Sequence, residues 1–487
     1  MPKSNSDQFS KYFNLPNPGL RSYFDLVEKG QPDEYRTTFY RGKNVQDVLS
    51  GWDRILRPIS REWPTLYAYE NDQREKVGPT SVMKPLSERM TDIDNYYTCI
   101  TKDQVPISEM ALESVVEEWG ARHRIALRKQ EDTINLMKKS TNSGSPYFTK
   151  ANVVSKTAPL EVWGGYMHQP AGTWKPAAIL GWRGQEGGPN PDDVKQRVVW
   201  MFPFGVNICE LQVYQPLIEY AQLHGIVPAW ISMEEVDQRI TKLFDTKSKD
   251  DIILCTDFSK FDQHFNHTCQ DGALAILSKL LTDDSRSRDW LEEVFPIKYD
   301  IPLAYDYGKI RHGAHGMASG SGGTNADETL VHRALQYEAA QAKGKRLNPN
   351  SMCLGDDGIL SYPGITAEDV MQSYTAHGLD MNESKQYEST QDCTYLRRWH
   401  HVNYRVNGVC VGVYPTFRAL GRLLEQERFY EDWSPKMVAL RQLSIIENCK
   451  WHPYRERFAN YCMKGDKYRL GIDIPGFLDN IDSEARK

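Results

Sequence analysis

Three carboxylates stand where short apolar runs end. Asp257 directly follows IILCT (252–256), and Asp356 and Asp357 occupy the centre of SMCLGDDGILSY (351–362). An apolar strand delivers its last side chain rigidly to the edge of a sheet, so neighbouring strands of this kind would bring the three groups together. Hard oxygen ligands on one edge suit Mg²⁺ or Mn²⁺ together with the phosphate oxygens of a substrate. A pair of such ions can clamp the attacking and leaving oxygens of an in-line displacement at phosphorus. Asp and Gly also make ordinary tight turns, so G-D-D alone leaves both readings open. Between the two acidic segments lies Ser319-Gly320-Ser321-Gly322-Gly323-Thr324-Asn325, a run of small residues leading into a helix. Backbone N–H groups at such a place can approach a phosphate or a nucleotide. The run lacks the lysine of a P-loop, and Asn325 followed by Glu328 also fits helix capping. His264/His267 and His312/His315 have i, i+3 spacing, but neither has a second ligand pair, which favours solvated or core histidine over zinc.

The elements that must hold these groups are visible in the hydrophobic pattern. Residues 252–255 read as a buried strand and 351–362 as a β-hairpin with an acidic tip. Helices are predicted at about 268–281 and 325–343. KQRVVWMFPF (195–204) reads as a strand with basic residues at its start, after a long loop over 181–193. Residues 105–139 read as helical, ended by TNSGSPYF (141–148). Residues 1–90, rich in Pro, Gly and aromatics, suggest an extended arm, and the chain after 415 looks mainly helical to 470, with an acidic tail. That tail, GIDIPGFLDNIDSEARK (471–487), is a candidate for folding back onto the body of the protein.

A chain of 487 residues carries about three domains' worth of sequence. With 40% hydrophobic and 25% charged residues it has the composition of a globular protein, and no apolar run is long enough to span a bilayer. The N-terminus lacks the apolar stretch of a secretory signal, so the chain is expected to start near Met1 and to remain intracellular. Nine cysteines without a C-x-x-C pair read as reduced, mostly buried thiols. The net charge of −6 gives no overall positive field, so binding to nucleic acid must rely on local patches. One lies between Tyr395 and Leu470, with fourteen Lys/Arg against seven Asp/Glu, and another between Arg122 and Lys150. Solvated helix faces produce clusters of the same kind.

The order of strand-end aspartate, small-residue loop and G-D-D hairpin resembles that of viral RNA-dependent RNA polymerases. DFSKFD (257–262) is similar to motif A, SGSGGTN (319–325) to motif B and LGDDG (354–358) to motif C. KQRVVWMFP (195–203) resembles motif F, TNSGSPYF (141–148) motif G, MNESKQ (381–386) motif D and TYLRRW (394–399) motif E. The wording of motifs A and B and the opening SKYFNLPNPGLRSYFDLVEKG look most like picobirnavirus polymerases, from double-stranded RNA viruses, with partitivirus polymerases next. The resemblance implies an α+β closed right hand of fingers, palm and thumb, its antiparallel palm sheet flanked by helices. It divides the chain into an N-terminal arm bridging fingers and thumb (1–90), fingers (91–250), palm with a fingers insertion (251–400), and thumb with tail (401–487).

By the same resemblance, Asp257 and Asp356 would bind two Mg²⁺ or Mn²⁺ ions, with Asp357 and the Phe258 carbonyl in support. Lys385 would protonate the leaving pyrophosphate. Asp262 would contact the ribose, helped by Ser319, Gly320, Thr324 and Asn325, while Lys195, Arg197 and Arg183 would meet the triphosphate. Ser143, Gly144, Arg397 and Arg398 would contact RNA. Motif B more commonly reads S-G-x-x-x-T-x-x-x-N, which would place Asn at the position of Glu328. Asn325 is therefore the expected partner of Asp262, with Glu328 left to capping. The implied partners are RNA template and product, ribonucleoside triphosphates and a capsid protein, for a monomer acting in the virion interior and the host cytoplasm. A reverse transcriptase shares the palm but carries an aromatic residue where Asp262 stands. A non-catalytic RNA-binding virion protein would leave the three carboxylates and the small-residue loop unexplained.

Overall fold

Capping chemistry sets many of the helix boundaries. The computed structural model describes residues 9–102, 104–138, 142–148, 151, 160–428 and 434–486. Thr141, Lys139 and Lys150, each part of a sequence reading above, lie outside the described residues. The chain divides into two units, one of Met1–Lys29, Pro85–Trp182 and Val198–Cys393, the other of Gly30–Lys84, Arg183–Arg197 and Thr394–Lys487.

In the first unit, a four-stranded antiparallel sheet runs in the order Met352–Leu354, Asp357–Leu360, Ile253–Thr256, Tyr387–Ser389. Ile253–Thr256 is buried at every position, which explains its unbroken apolar run. The helices His267–Leu280 and Thr324–Gln341 match the sequence reading to within a few residues. Asn266 caps the first by accepting from the Cys269 N–H at 3.2 Å. In the second, every residue from Ala326 to Gln336 is buried, including Asp327, Glu328 and Arg333, and buried charges require partners. Lys298 Nζ lies 3.0 Å from Asp327 Oδ2, both fully buried, and the hydroxyls of Tyr214 and Tyr299 each donate to the Asp327 carboxylate at 2.6 Å. Leaving either charge alone there would cost about 3–5 kcal/mol.

The second unit packs the helices Val45–Leu56, Pro64–Glu75, Thr416–Leu424 and Arg455–Gly465 around Trp52, Trp399, Phe417 and Phe458. A two-residue antiparallel pairing joins Tyr35–Arg36 to Glu425–Gln426. The tail belongs to this unit, with Phe477 buried and Lys436 Nζ 3.3 Å from Glu484.

Three expectations are corrected. Residues 1–90 hold three twelve-residue helices, Pro18–Lys29, Val45–Leu56 and Pro64–Glu75, in place of an extended arm. Two of them carry Pro in the first turn, where its missing N–H costs nothing, so proline marks helix starts and not an extended chain. The helix expected over 105–139 is two, Glu109–Trp119 and Gln130–Leu136, divided after Gly120. The loop expected over 181–193 begins as strand, because Ala178–Gln185 pairs in a sheet beside Lys195–Met201. None of the nine cysteines is in a disulfide, and eight of them are buried.

Candidate active site

The register of the sheet decides which carboxylates meet. Gly358 pairs with Thr256, Ile359 with Cys255 and Leu360 with Leu254, so Asp257, one residue beyond Thr256, comes level with Asp357. Neighbouring positions on paired strands lie about 5 Å apart, with side chains on one face. On the other side Asp357 pairs with Leu354, which leaves Gly355 and Asp356 as a two-residue turn. Asp356 is exposed, while Asp257 and Asp357 are partly buried. The donor set at this edge is carboxylate oxygen, with the Phe258 carbonyl adjacent in sequence, and that is the hard-ligand chemistry of Mg²⁺ and Mn²⁺.

The segment after Asp257 is held by the chain around 380–386. Gln386 grips the Asp257 backbone from both sides: its Oε1 accepts from the Asp257 N–H at 2.9 Å and its Nε2 donates to the Asp257 carbonyl at 2.7 Å. The Ser259 N–H donates to Asp380 O at 2.8 Å, and Phe258 bridges to Met381. The chain then turns into the short helix Phe261–His264, and the Asp262 carbonyl accepts from the Met317 N–H at 2.8 Å. Asp262 thereby sits beside the small-residue loop.

That loop is laid against the strand end at Val198–Trp200. The Ser319 hydroxyl donates to Val198 O at 2.9 Å, and the Trp200 N–H donates to Ser319 O at 2.8 Å. At Gly320 the approach is so close that a Cβ would stand 1.9 Å from the Trp200 carbonyl oxygen. Fully buried Glu210 accepts from the Ser321 hydroxyl and, at 3.2 Å, from the Gly322 N–H. Burial pushes the Glu210 pKa up to about 7, against the pull of nearby Lys298 and of these two donors.

Glu328 takes a different role from the one expected. The helix begins at Thr324 with Gly323 as its N-cap and no side-chain cap, so Asn325 and Glu328 do not form a capping pair. The Glu328 carboxyl is buried and hydrogen-bonded to the side chain of Asp262. Burial, followed by the charge of Asp262 and the weaker influence of Asp356 and Asp327, holds its pKa well above the usual carboxylate range. A neutral acid at that place can donate to the Asp262 carboxylate. Asn325 is exposed and its Oδ1 accepts from Trp230 Nε1 at 2.8 Å.

With this geometry in place, relatives of known type can be compared. The sequence profile described as viral RNA-dependent RNA polymerase matches residues 191–407. A human picobirnavirus protein (strain Human/Thailand/Hy005102/-) described as a potential RNA-dependent RNA polymerase is 63% identical over 486 residues, 98% of this chain and 91% of its own. The chain belongs to the RNA-dependent RNA polymerases of picobirnaviruses. The crystal structure of the RNA-dependent RNA polymerase of a human picobirnavirus, 63% identical, superposes with a TM-score of 0.97 over 99% of this chain and 93% of that one. Its insertion-loop deletion mutant gives 0.96 over 99% and 96%.

The remaining candidate residues of this polymerase are placed as follows. Lys385 is exposed at the end of the Glu383–Lys385 turn. Thr324 Oγ1 donates to Ala318 O at 3.4 Å. Ser143 is buried, its carbonyl accepting from the Phe204 N–H at 2.8 Å, and the Gly144 N–H donates to Asn142 Oδ1 at 2.7 Å. Ser143 thus belongs to a turn anchored in the interior. In the second unit, Lys195 and Arg197 are exposed, and Arg183 pairs with Glu427 at 3.5 Å. Arg397 stands at the surface in the field of Arg418, Glu186 and Arg197. Its neighbour Arg398 is buried with Nη2 on the Gly412 carbonyl at 3.3 Å. The patch around Arg122 and Arg128 is laced with acids, Arg122 pairing with Glu113 and Arg128 with Glu219.

Sequence reasoning missed Gln386, Glu210 and Trp230, and it misassigned Glu328. Only Glu328 carried a signal, its place where motif B usually has asparagine.

Proposed function

We propose that this polymerase replicates and transcribes a double-stranded RNA genome by two-metal nucleotidyl transfer, with Asp257 and Asp356 holding the ions. The observation that carries this reading is the register that sets Asp257 level with Asp357 beside the turn bearing Asp356. Asp357 and the Phe258 carbonyl assist. Divalent ions bound there would supply the charge that activates an attacking hydroxyl and steadies a leaving pyrophosphate. Asp262, oriented by Glu328, takes the ribose, and the exposed guanidinium groups of Arg197 and Arg397 offer planar, permanently charged partners for phosphate. RNA template and product, ribonucleoside triphosphates and a capsid protein are the proposed partners, with a monomer working in the virion interior and the host cytoplasm.

The test is extension of an RNA template by purified protein with ribonucleotides. Product should form with Mg²⁺ or Mn²⁺, disappear on chelation and return when the ion is restored. Product formation that survives complete chelation would exclude the reading.

Lys385 is the proposed general acid, its motive being exposure on a mobile-length side chain at the turn next to Gln386. Lys385→Leu should slow single-turnover incorporation by about 10²-fold with little change in nucleotide affinity. Rapid-quench kinetics at saturating nucleotide measure this, and an unchanged rate would return Lys385 to the solvated surface.

A further inference from the structure

The helix Thr324–Gln341 lays a polar face along the hairpin that carries Asp356. Arg333 Nη1 donates to Ser351 O at 2.7 Å, and Gln336 Nε2 donates to Met352 O at 2.9 Å and Ile359 O at 3.2 Å. One turn closer to the helix start, the same face reaches the residue immediately before Asp356. Thr329 Oγ1 accepts from the Gly355 N–H at 2.9 Å, and His332 Nδ1 lies 2.8 Å from the Gly355 carbonyl oxygen. A carbonyl oxygen only accepts, so Nδ1 carries the proton.

Both backbone polar groups of Gly355 are thus taken by side chains spaced i, i+3 on one helix. Gly355 has φ +57°, a left-handed conformation that glycine adopts without steric cost. The imidazole packs against the backbone of the hairpin. Its Cε1 and Nε2 lie 2.6 Å from where a Cβ on Gly358 would stand, so the glycine after G-D-D is what admits the ring. On another side the ring meets Phe258 edge to face, centroids 5.1 Å apart, and Phe258 follows Asp257 directly. One side chain therefore touches the residue after Asp257 and the residue before Asp356.

We propose that His332 is a positioning residue that sets Asp356 relative to Asp257, its Nδ1–H holding Gly355 while its ring packs on Phe258. The proposal rests on the reading of those two aspartates as the ion-holding pair. Carboxylates that share ions tolerate little displacement, and groups that orient such ligands typically contribute 10–100-fold to activity.

Two substitutions at His332 separate the hydrogen bond from the volume. His332→Asn retains an N–H close to the place of Nδ1, whereas His332→Leu fills much of the ring's space without a donor. Thr329→Val, nearly isosteric, removes the acceptor on the other side of Gly355 and serves if the Leu variant folds poorly. The readouts are kcat and nucleotide KM on a primed template, and hydrogen exchange of the amides at 355–358 in the metal-free protein. His332→Leu should lower kcat by about 10–100-fold, change KM by less than about threefold and accelerate exchange across the turn, while His332→Asn stays within about fivefold of wild type in kcat. Thr329→Val should move kcat and exchange in the same direction as His332→Leu. Unchanged exchange in both the Leu and Val variants would overturn the clamp itself. Faster exchange with undiminished kcat would overturn its role in positioning. The exchange readout does not depend on the chemistry of the site, so an active Asp257→Asn enzyme would count against the proposed function and not against the clamp.

Discussion

Asp257→Asn and Asp356→Asn should each reduce nucleotide addition by about 10³-fold or more while leaving the fold intact. The substitution preserves side-chain volume and removes one anionic group from an edge where the register sets Asp257 level with Asp357 beside the turn bearing Asp356. Like charges at such spacing repel when no cation lies between them. In metal-free buffer the thermal midpoint of either variant should therefore equal or exceed that of the wild type. Added Mg²⁺ should raise the wild-type midpoint, as any ligand selective for the folded state does, and raise the variants' midpoints less. Single-turnover extension and a melting series with and without Mg²⁺ check both parts. Substantial extension by either variant, with wild-type response of the midpoint to Mg²⁺, would remove these residues from the ion site.

Sugar selection should depend on Asp262 and Glu328, not on Asn325. A ribonucleotide differs from its deoxy analogue by one hydroxyl, and a site built to satisfy that hydroxyl strands its own polar groups when the hydroxyl is missing, giving discrimination of about 10⁴-fold. Glu328, buried and hydrogen-bonded to Asp262, fixes the carboxylate that would meet the ribose. Burial, and after it the charge of Asp262, favour the neutral form of its carboxyl, so Glu328→Gln, a neutral donor of similar shape, should keep most of the preference for ribonucleotides. Glu328→Ala and Asp262→Ala should each reduce it by about 10²-fold, and the double variant should fall well short of additivity because the two act on one hydroxyl. Asn325→Ala should leave the preference in place, since that side chain is engaged with Trp230 at the surface. Competition between ribo- and deoxyribonucleotides at one template position measures each ratio. Loss of preference in Asn325→Ala with retention in Glu328→Ala would reverse the assignment.

The candidate site was legible in sequence wherever chemistry and local structure coincide. Asp257 at the end of IILCT and the G-D-D pair inside a hairpin pattern could be identified because an apolar strand and a two-residue turn are local objects, and their order with the small-residue loop between them sets them apart from ordinary turns. The small-residue loop before Thr324 was legible for the same reason. Ser143 and Arg398 were harder. Each lies in a segment of the right composition, but the residue types give no indication that Ser143 is buried with its carbonyl on the Phe204 N–H or that the Arg398 guanidinium turns inward to Gly412.

Pattern determined the acidic sheet edge and the principal helices and strands around it, and the motifs carried the family resemblance that the relatives bear out. Tertiary structure alone decided the partners. Asn325-x-x-Glu328 is a valid capping pattern, and only the return of Asp262 to the side of the helix makes Glu328 its hydrogen-bonding neighbour. Gln386 is separated by 129 residues from the backbone it grips, and a histidine inside a helix gives no sign that it will close on Gly355. The reason is physical: strand and helix patterns arise from interactions within a few residues, whereas a buried polar side chain is satisfied by whichever donor or acceptor the packed chain brings within about 3 Å.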